Sequence, residues 1–177
     1  MKRERLDARR LMALSRSFRY PDRWPGEGDL ALLFARGVHS PGVVVEKDLA
    51  ALQATYVHLF INALPEVPCP PYGSFYLEGV LMGESTVRLK RLYGEYGFEV
   101  DELADHIAVE LEFLGLLATL TDEPAVGEDY GFLLEHLRKW TPEFLDRVEQ
   151  TDSLGFYRCV AAVVRSTIFH SRASMTT

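Results

Sequence analysis

Little in this sequence could staple, span or neutralise anything. It has two cysteines in 177 residues, Cys69 and Cys159, too few for a disulfide framework or a zinc quartet. Each therefore reads as a small buried hydrophobe. No uncharged apolar run approaches about 18 residues, so no segment reads as membrane-spanning and no stable membrane insertion is expected. The start, Met1-Lys-Arg-Glu-Arg-Leu-Asp7, is charged and lacks the apolar core of a signal peptide, which makes the expected location cytoplasmic. There is no basic surplus. A net charge of −7 argues against a general nucleic-acid binder and suits a cationic partner. A phosphate-cradling loop is missing too, because Gly26-Glu-Gly28 has no strand before it. We find no internal repeat, low-complexity tract or strand alternation. What is present, 47% hydrophobic and 25% charged residues, is the composition of a globular protein, at a length that fits one domain over 1–177.

The apolar spacing is helical almost throughout. Residues 4–19 carry Leu6, Leu11, Leu14 and Phe18 at helical intervals, and Asp29 is placed to cap a short helix running to Ala35 before Gly37. Residues 46–63 read as a helix with Leu49, Leu52, Tyr56, Leu59 and Phe60 inward. Four prolines between Pro65 and Pro71 rule out regular structure there. Glu84 to Tyr96 reads as a helix with Gly97 just past its end. After a linker around Pro124 and Gly127, the pattern predicts a helix over 129–140. A new one starts at Thr141-Pro142-Glu143, a capping hydroxyl followed by proline, and a last one spans Ser153 to His170. The expectation is an all-α, single-domain bundle of about seven helices.

The central segment, Glu102 to Leu120, carries the most information. At about 100° per residue, Asp105, Glu112 and Thr119 share a narrow polar strip, while His106 and Glu110 fall among Leu103, Phe113, Leu114 and Leu117. A helix apolar nearly all round is normally buried, and a charge inside its apolar arc needs a partner. His106 and Glu110, one turn apart, are placed to partner each other. Two readings stand: a satisfied core histidine, or a helix end opening into a cleft where Asp105 and His106 meet a ligand.

Upstream, Cys69-Pro-Pro-Tyr-Gly-Ser-Phe-Tyr-Leu-Glu78 reads as a proline-stiffened loop. Tyr72, Phe75 and Tyr76 supply aromatic faces, and Gly73 and Ser74 admit close backbone approach. Such a surface suits an extended peptide; the alternative is a loop clamped to the core by its own aromatics.

Four blocks resemble the TorD/DmsD/NarJ family of redox-enzyme maturation chaperones, in that family's order. They are Tyr56-Val-His-Leu-Phe60, Pro70-Pro-Tyr-Gly-Ser-Phe-Tyr-Leu77, Met82-Gly-Glu-Ser-Thr86, and Asp105-His106 followed by Glu110-Leu-Glu-Phe-Leu114. His136-Leu-Arg-Lys-Trp140, then Pro142 and Phe144, is a weaker echo. One departure is Ala104, where the family usually has proline; alanine would let the helix begin earlier, with Asp101 as its cap.

The resemblance implies an all-helical cytoplasmic chaperone, not an enzyme. Its partner would be the N-terminal leader, often twin-arginine, of a molybdenum-cofactor oxidoreductase. The implied peptide site comprises Tyr72, Gly73, Ser74, Phe75, Tyr76, Gly83, Glu84, Asp105, His106 and Glu110, with Glu102 a further carboxylate. No cofactor is implied, and the assembly would be a monomer or homodimer. Two rivals remain: a helical metalloenzyme using His106 and Glu110, with His58 or His136 as further donors, and a purely structural helical adaptor.

Overall fold

Thirteen residues at the middle of the chain set the architecture. In the computed structural model, which describes residues 5–34, 47–120 and 123–169, Ile107–Thr119 is a helix with nine of its thirteen residues buried, which makes it the core element. The described chain is an all-α bundle. In order it comprises α1 (Ala8–Ser17), α2 (Glu27–Phe34), α3 (Leu49–Tyr56, running on into a π-helical turn at Val57–Ile61), α4 (Gly73–Glu78), α5 (Glu84–Glu95), α6 (Ile107–Thr119), α7 (Pro124–Thr151) and α8 (Phe156–Phe169). No strand forms among these residues; an isolated antiparallel bridge joins Tyr72 to His106.

α6 packs against α1 and α7, α8 lies along α7, and α4 rests on α7 and α5. Polar groups fix these contacts. The Ser15 hydroxyl donates to the Ala108 carbonyl at 2.7 Å, tying α1 to α6. The last carbonyls of a helix have no intrahelical donors. At the end of α6 the Arg5 guanidinium supplies them, at 2.8 Å to Leu117 and 2.7 Å to Leu120. Both cysteines are buried and unbonded to each other, and burial pushes the Cys69 thiol up to about 11.

Away from the start of α6, the structure departs from the sequence reading chiefly in four places, and α7 also takes in the expected linker around Pro124 and Gly127. First, α7 is continuous through Pro142, so Thr141 is not a cap; its hydroxyl donates back to Leu137 at 2.7 Å. An interior proline costs about 3 kcal/mol. The neighbouring Trp140 and Phe144 are fully buried, each worth roughly 3–5 kcal/mol, so packing keeps the helix whole, and Pro124 supplies its start. Second, α2 begins at Glu27, two residues before Asp29, whose carboxylate takes the Arg16 guanidinium at 2.8 Å; Ala35 and Gly37 lie outside the described residues. Third, Gly73–Glu78 is a helix where the prolines suggested loop through Glu78. Fourth, α8 starts at Phe156, after Ser153; its expected end at His170 lies outside the described residues. The helix expected over 84–96 is α5, and Gly97 follows it at φ 62°.

Phe113 sits at the centre of an aromatic cluster, 4.5 Å from the Tyr93 ring and 5.2 Å from Phe98, with no exposed surface. Phe113→Ala should lower unfolding free energy by about 3–5 kcal/mol, read as a fall in urea midpoint at unchanged denaturant slope.

Candidate functional site

A helix start needs acceptors for its free N–H groups, and α4 has no capping side chain of its own because its N-cap residue is Tyr72. Asp105 does the work from across the junction. Its carbonyl accepts from the Gly73 amide at 2.9 Å, and its Oδ2 accepts from the Ser74 amide at 2.8 Å. The service is returned: the Ile107 amide, first in α6, donates to the Pro71 carbonyl at 2.9 Å. His106 completes the start of α6 as its N-cap, with Nδ1 accepting from the Ala108 amide at 3.1 Å. Two helix starts are thus stitched together across thirty residues.

This geometry corrects two expectations. Asp105 lies before the helix and is fully buried, so the strip shared with Glu112 and Thr119 does not form; Glu112 instead pairs with Arg19 at 2.7 Å. Ala104 does not let the helix begin earlier. Its carbonyl is held by the Tyr93 hydroxyl at 2.8 Å, the His106 amide closes a turn onto Leu103, and Asp101 faces Arg19 rather than capping anything.

His106 and Glu110 do not partner each other. The His106 ring is buried edge-on against Tyr72 at 5.3 Å. Burial, helped by the positive charge of Arg19 and opposed by Asp105, pushes its pKa down to about 4. Glu110, also fully buried, finds its partner on α7: His136 Nε2 lies 3.4 Å from its Oε1, too loosely aligned for a hydrogen bond. Burial raises the Glu110 carboxyl, while His136 pulls it back. On His136, burial opposes the charge, but the Glu110 carboxylate outweighs it and raises the imidazole.

Gly73 closes this pocket. A Cβ there would lie 3.0 Å from Trp140 Nε1, 3.2 Å from Glu110 Oε1 and 3.3 Å from His136 Nε2, so a side chain would crowd all three, and glycine lets α4 sit close over the trio. Around it, Ser74 Oγ, Asp105 Oδ1, both Glu110 oxygens and Trp140 Nε1 are buried without hydrogen-bond partners in the protein. His136 and Trp140 were legible only as a faint echo; their one-turn spacing on one face of α7 was the available signal.

The third block has an equally local cause. The Glu78 carboxylate accepts from the Glu84 and Ser85 amides at 2.6 and 2.9 Å, capping α5. It occupies the place where a Cβ on residue 83 would stand, so a side chain there would displace this cap. Beside this cap lies a cavity of about 350 Å³ lined by His136 and Glu84 among others.

The family model for the nitrate reductase delta subunit matches residues 41–146, more than half of the chain and all four blocks. The chain belongs to this family. Among curated relatives, chaperone protein TorD of Vibrio parahaemolyticus is 31% identical over 127 residues, 64% of this chain and 59% of that protein. TorD of Aliivibrio fischeri is 32% identical over 108 residues, 53% and 50% of the respective chains. The chain thus spans half to three-fifths of the length of these relatives. A crystal structure of an Archaeoglobus fulgidus protein assigned to redox enzyme maturation shares the fold, with TM-score 0.67 and 32% identity over 89% of this chain and 93% of that one.

In this delta-subunit-family chain, then, the residues singled out from sequence divide into two groups. Gly73, Ser74, Asp105, His106 and Glu110 are buried at one junction, and Gly83 makes room for the cap of α5. Tyr72, Phe75 and Tyr76 are half-buried: Tyr76 stacks on Trp140 at 5.5 Å, and Arg147 lies 5.6 Å from the Phe75 ring. Glu84 and Glu102 are exposed.

Because its carboxyl is buried and bonded, Asp105→Ala should cost about 1.5–3 kcal/mol of stability, measured by thermal or urea unfolding. The sequence alone, with Asp105 on a polar strip and outside the packing, predicts almost no change. His106 gives a pH signature. Its folded pKa lies below its ordinary 6.5, so its contribution is whole above pH 6.5 and fades as pH falls towards 4. His106→Asn keeps a capping acceptor without titrating. Wild type should lose up to roughly 3 kcal/mol relative to this variant across that window; parallel stability–pH curves would refute the assignment.

Proposed function

We propose that this chain is a maturation chaperone that binds the N-terminal leader, twin-arginine in type, of a molybdenum-cofactor oxidoreductase's catalytic subunit. It would do so in the cytoplasm, before the client is exported or docked at a membrane. Family membership carries this reading, since the matched span contains every block that builds the α4–α6–α7 junction. Two observations support it. The relatives are named chaperones, and the net charge of −7 complements a leader that couples cations to an apolar stretch. No helix among the described residues is long and apolar enough to cross a membrane.

On this reading the chain binds and does not turn anything over. A metal centre between His106 and Glu110 finds no support in the geometry. The His106 Nδ1 lone pair is committed to the Ala108 amide, Glu110 turns to α7, and no three ligand-type side chains converge among the described residues. A passive adaptor is separated from a chaperone by binding itself. Isothermal titration of the folded chain with the leader of a molybdopterin oxidoreductase encoded beside it should give saturable binding that weakens as salt is raised. A folded protein that binds no such leader contradicts the proposal.

A further inference from the structure

The residues buried at the junction present almost no surface to a peptide, which turns attention to what the junction holds up. Eight large apolar side chains are exposed among the described residues, and five of them lie within one short stretch: Leu77, Val80, Leu81, Met82 and Val87. They follow the chain from the end of α4, around the turn at 79–83, onto the first turn of α5. Clustering of this kind marks an interaction surface, whereas single exposed apolar residues need no explanation.

A second observation singles out the same turn. Met82 is the one non-glycine residue among those described with a positive φ, 61°, and its side chain is 67% exposed. An unbranched thioether held outward on a strained backbone adapts to partners of varied shape. The turn is held from both ends, by the Glu78 carboxylate on the amides of α5 and by Asp105 on those of α4.

The charges beside the patch indicate what it would take. The adjoining cavity is walled by Leu77, Phe132 and His136. Of its carboxylates, Glu78 is committed to α5 and Glu135 pairs with Arg138 at 2.7 Å, while among the described residues no ion pair forms at Glu84, which is exposed. Of its cations, Arg88 lies 4.1 Å over the Phe132 ring, and Lys139 lines the cavity too, in a chain whose net charge is −7. An apolar segment with a basic residue at one end fits this arrangement, its cation meeting Glu84.

We propose that the knuckle from Leu77 to Val87, with the cavity beside it, is the docking surface for the apolar part of the client leader, and that Glu84 receives the adjoining basic residue. This rests on the leader-binding reading above. Gly73, Asp105, Glu110 and Gly83 then act as positioning residues, which hold the knuckle in place without contacting the peptide.

The test uses the full chain and two fluorescein-labelled probes: the neighbouring molybdoenzyme's leader, and a synthetic peptide with two arginines ahead of a Leu/Ala-rich stretch. Leu81→Asp and Met82→Asp, both at exposed positions and checked for unchanged helicity, should each weaken binding at least about tenfold. Glu84→Gln should weaken it about threefold and flatten its salt dependence. Tyr20→Asp, an exposed aromatic on the other side of the α1 end, should leave affinity unchanged. Wild type that binds neither probe overturns the leader-binding reading and this surface with it. Wild type that binds a probe, with affinity unmoved by Leu81→Asp and Met82→Asp, overturns the surface alone. If sedimentation shows that these variants dissolve a dimer while leader affinity stays intact, the patch is a self-association face and the proposal fails.

Discussion

Two helices that start badly have to start each other. α4 opens on Tyr72, which has no acceptor to offer its own first amides, and α6 opens immediately after a turn buried beneath it. The solution is mutual, with Asp105 giving its carbonyl and carboxylate to Gly73 and Ser74 while Pro71 gives its carbonyl to Ile107. Proline at 71 suits the exchange, because it presents a carbonyl from a stiff extended backbone and has no amide that needs an acceptor. The placement of α4 on α7, and of the turn between α4 and α5, follows from this joint.

A buried carboxylate then limits what can lie over it. Glu110 has no exposed surface, and a lone charge there would be too costly to keep. His136, 3.4 Å away on α7, is the charge that offsets this cost. The space left for α4 above them is thin enough that even a Cβ at position 73 would crowd them. The histidine–carboxylate pair, the missing Cβ and the stacked Tyr76–Trp140 rings are consequences of one packing problem at one junction.

Much of this was legible in the sequence, and the parts that were not share a cause. Helical periodicity found α1, α3, α5, α6 and α8 because each has an apolar face that must be buried. It also marked Glu110 as a charge needing a partner. It chose the wrong partner, because a wheel drawn for α6 shows only α6, and His136 comes from another helix. Asp105 was drawn onto the wheel although the helix begins two residues later. Boundaries are set by who accepts the first amides, and here the acceptors come from thirty residues away. Pro142 misled for the converse reason: local chemistry favoured a break, and tertiary burial of Trp140 and Phe144 overrode it. The matched blocks were readable as a family signature before their purpose was. Gly73, Gly83 and Asp105 are, in this chain, working parts of these helix starts, while of the exposed apolar residues that follow, Val80, Leu81 and Val87 lie outside the blocks.

The claim on which everything else rests is that the starts of α4 and α6 form one cooperative unit. Native-state hydrogen exchange of the individual amides tests it most directly. The Gly73, Ser74, Ile107 and Ala108 amides should exchange through a single opening, with a common free energy and a common dependence on denaturant. Rapid, independent exchange at Gly73 and Ser74 alongside strong protection at Ile107 and Ala108 would contradict it.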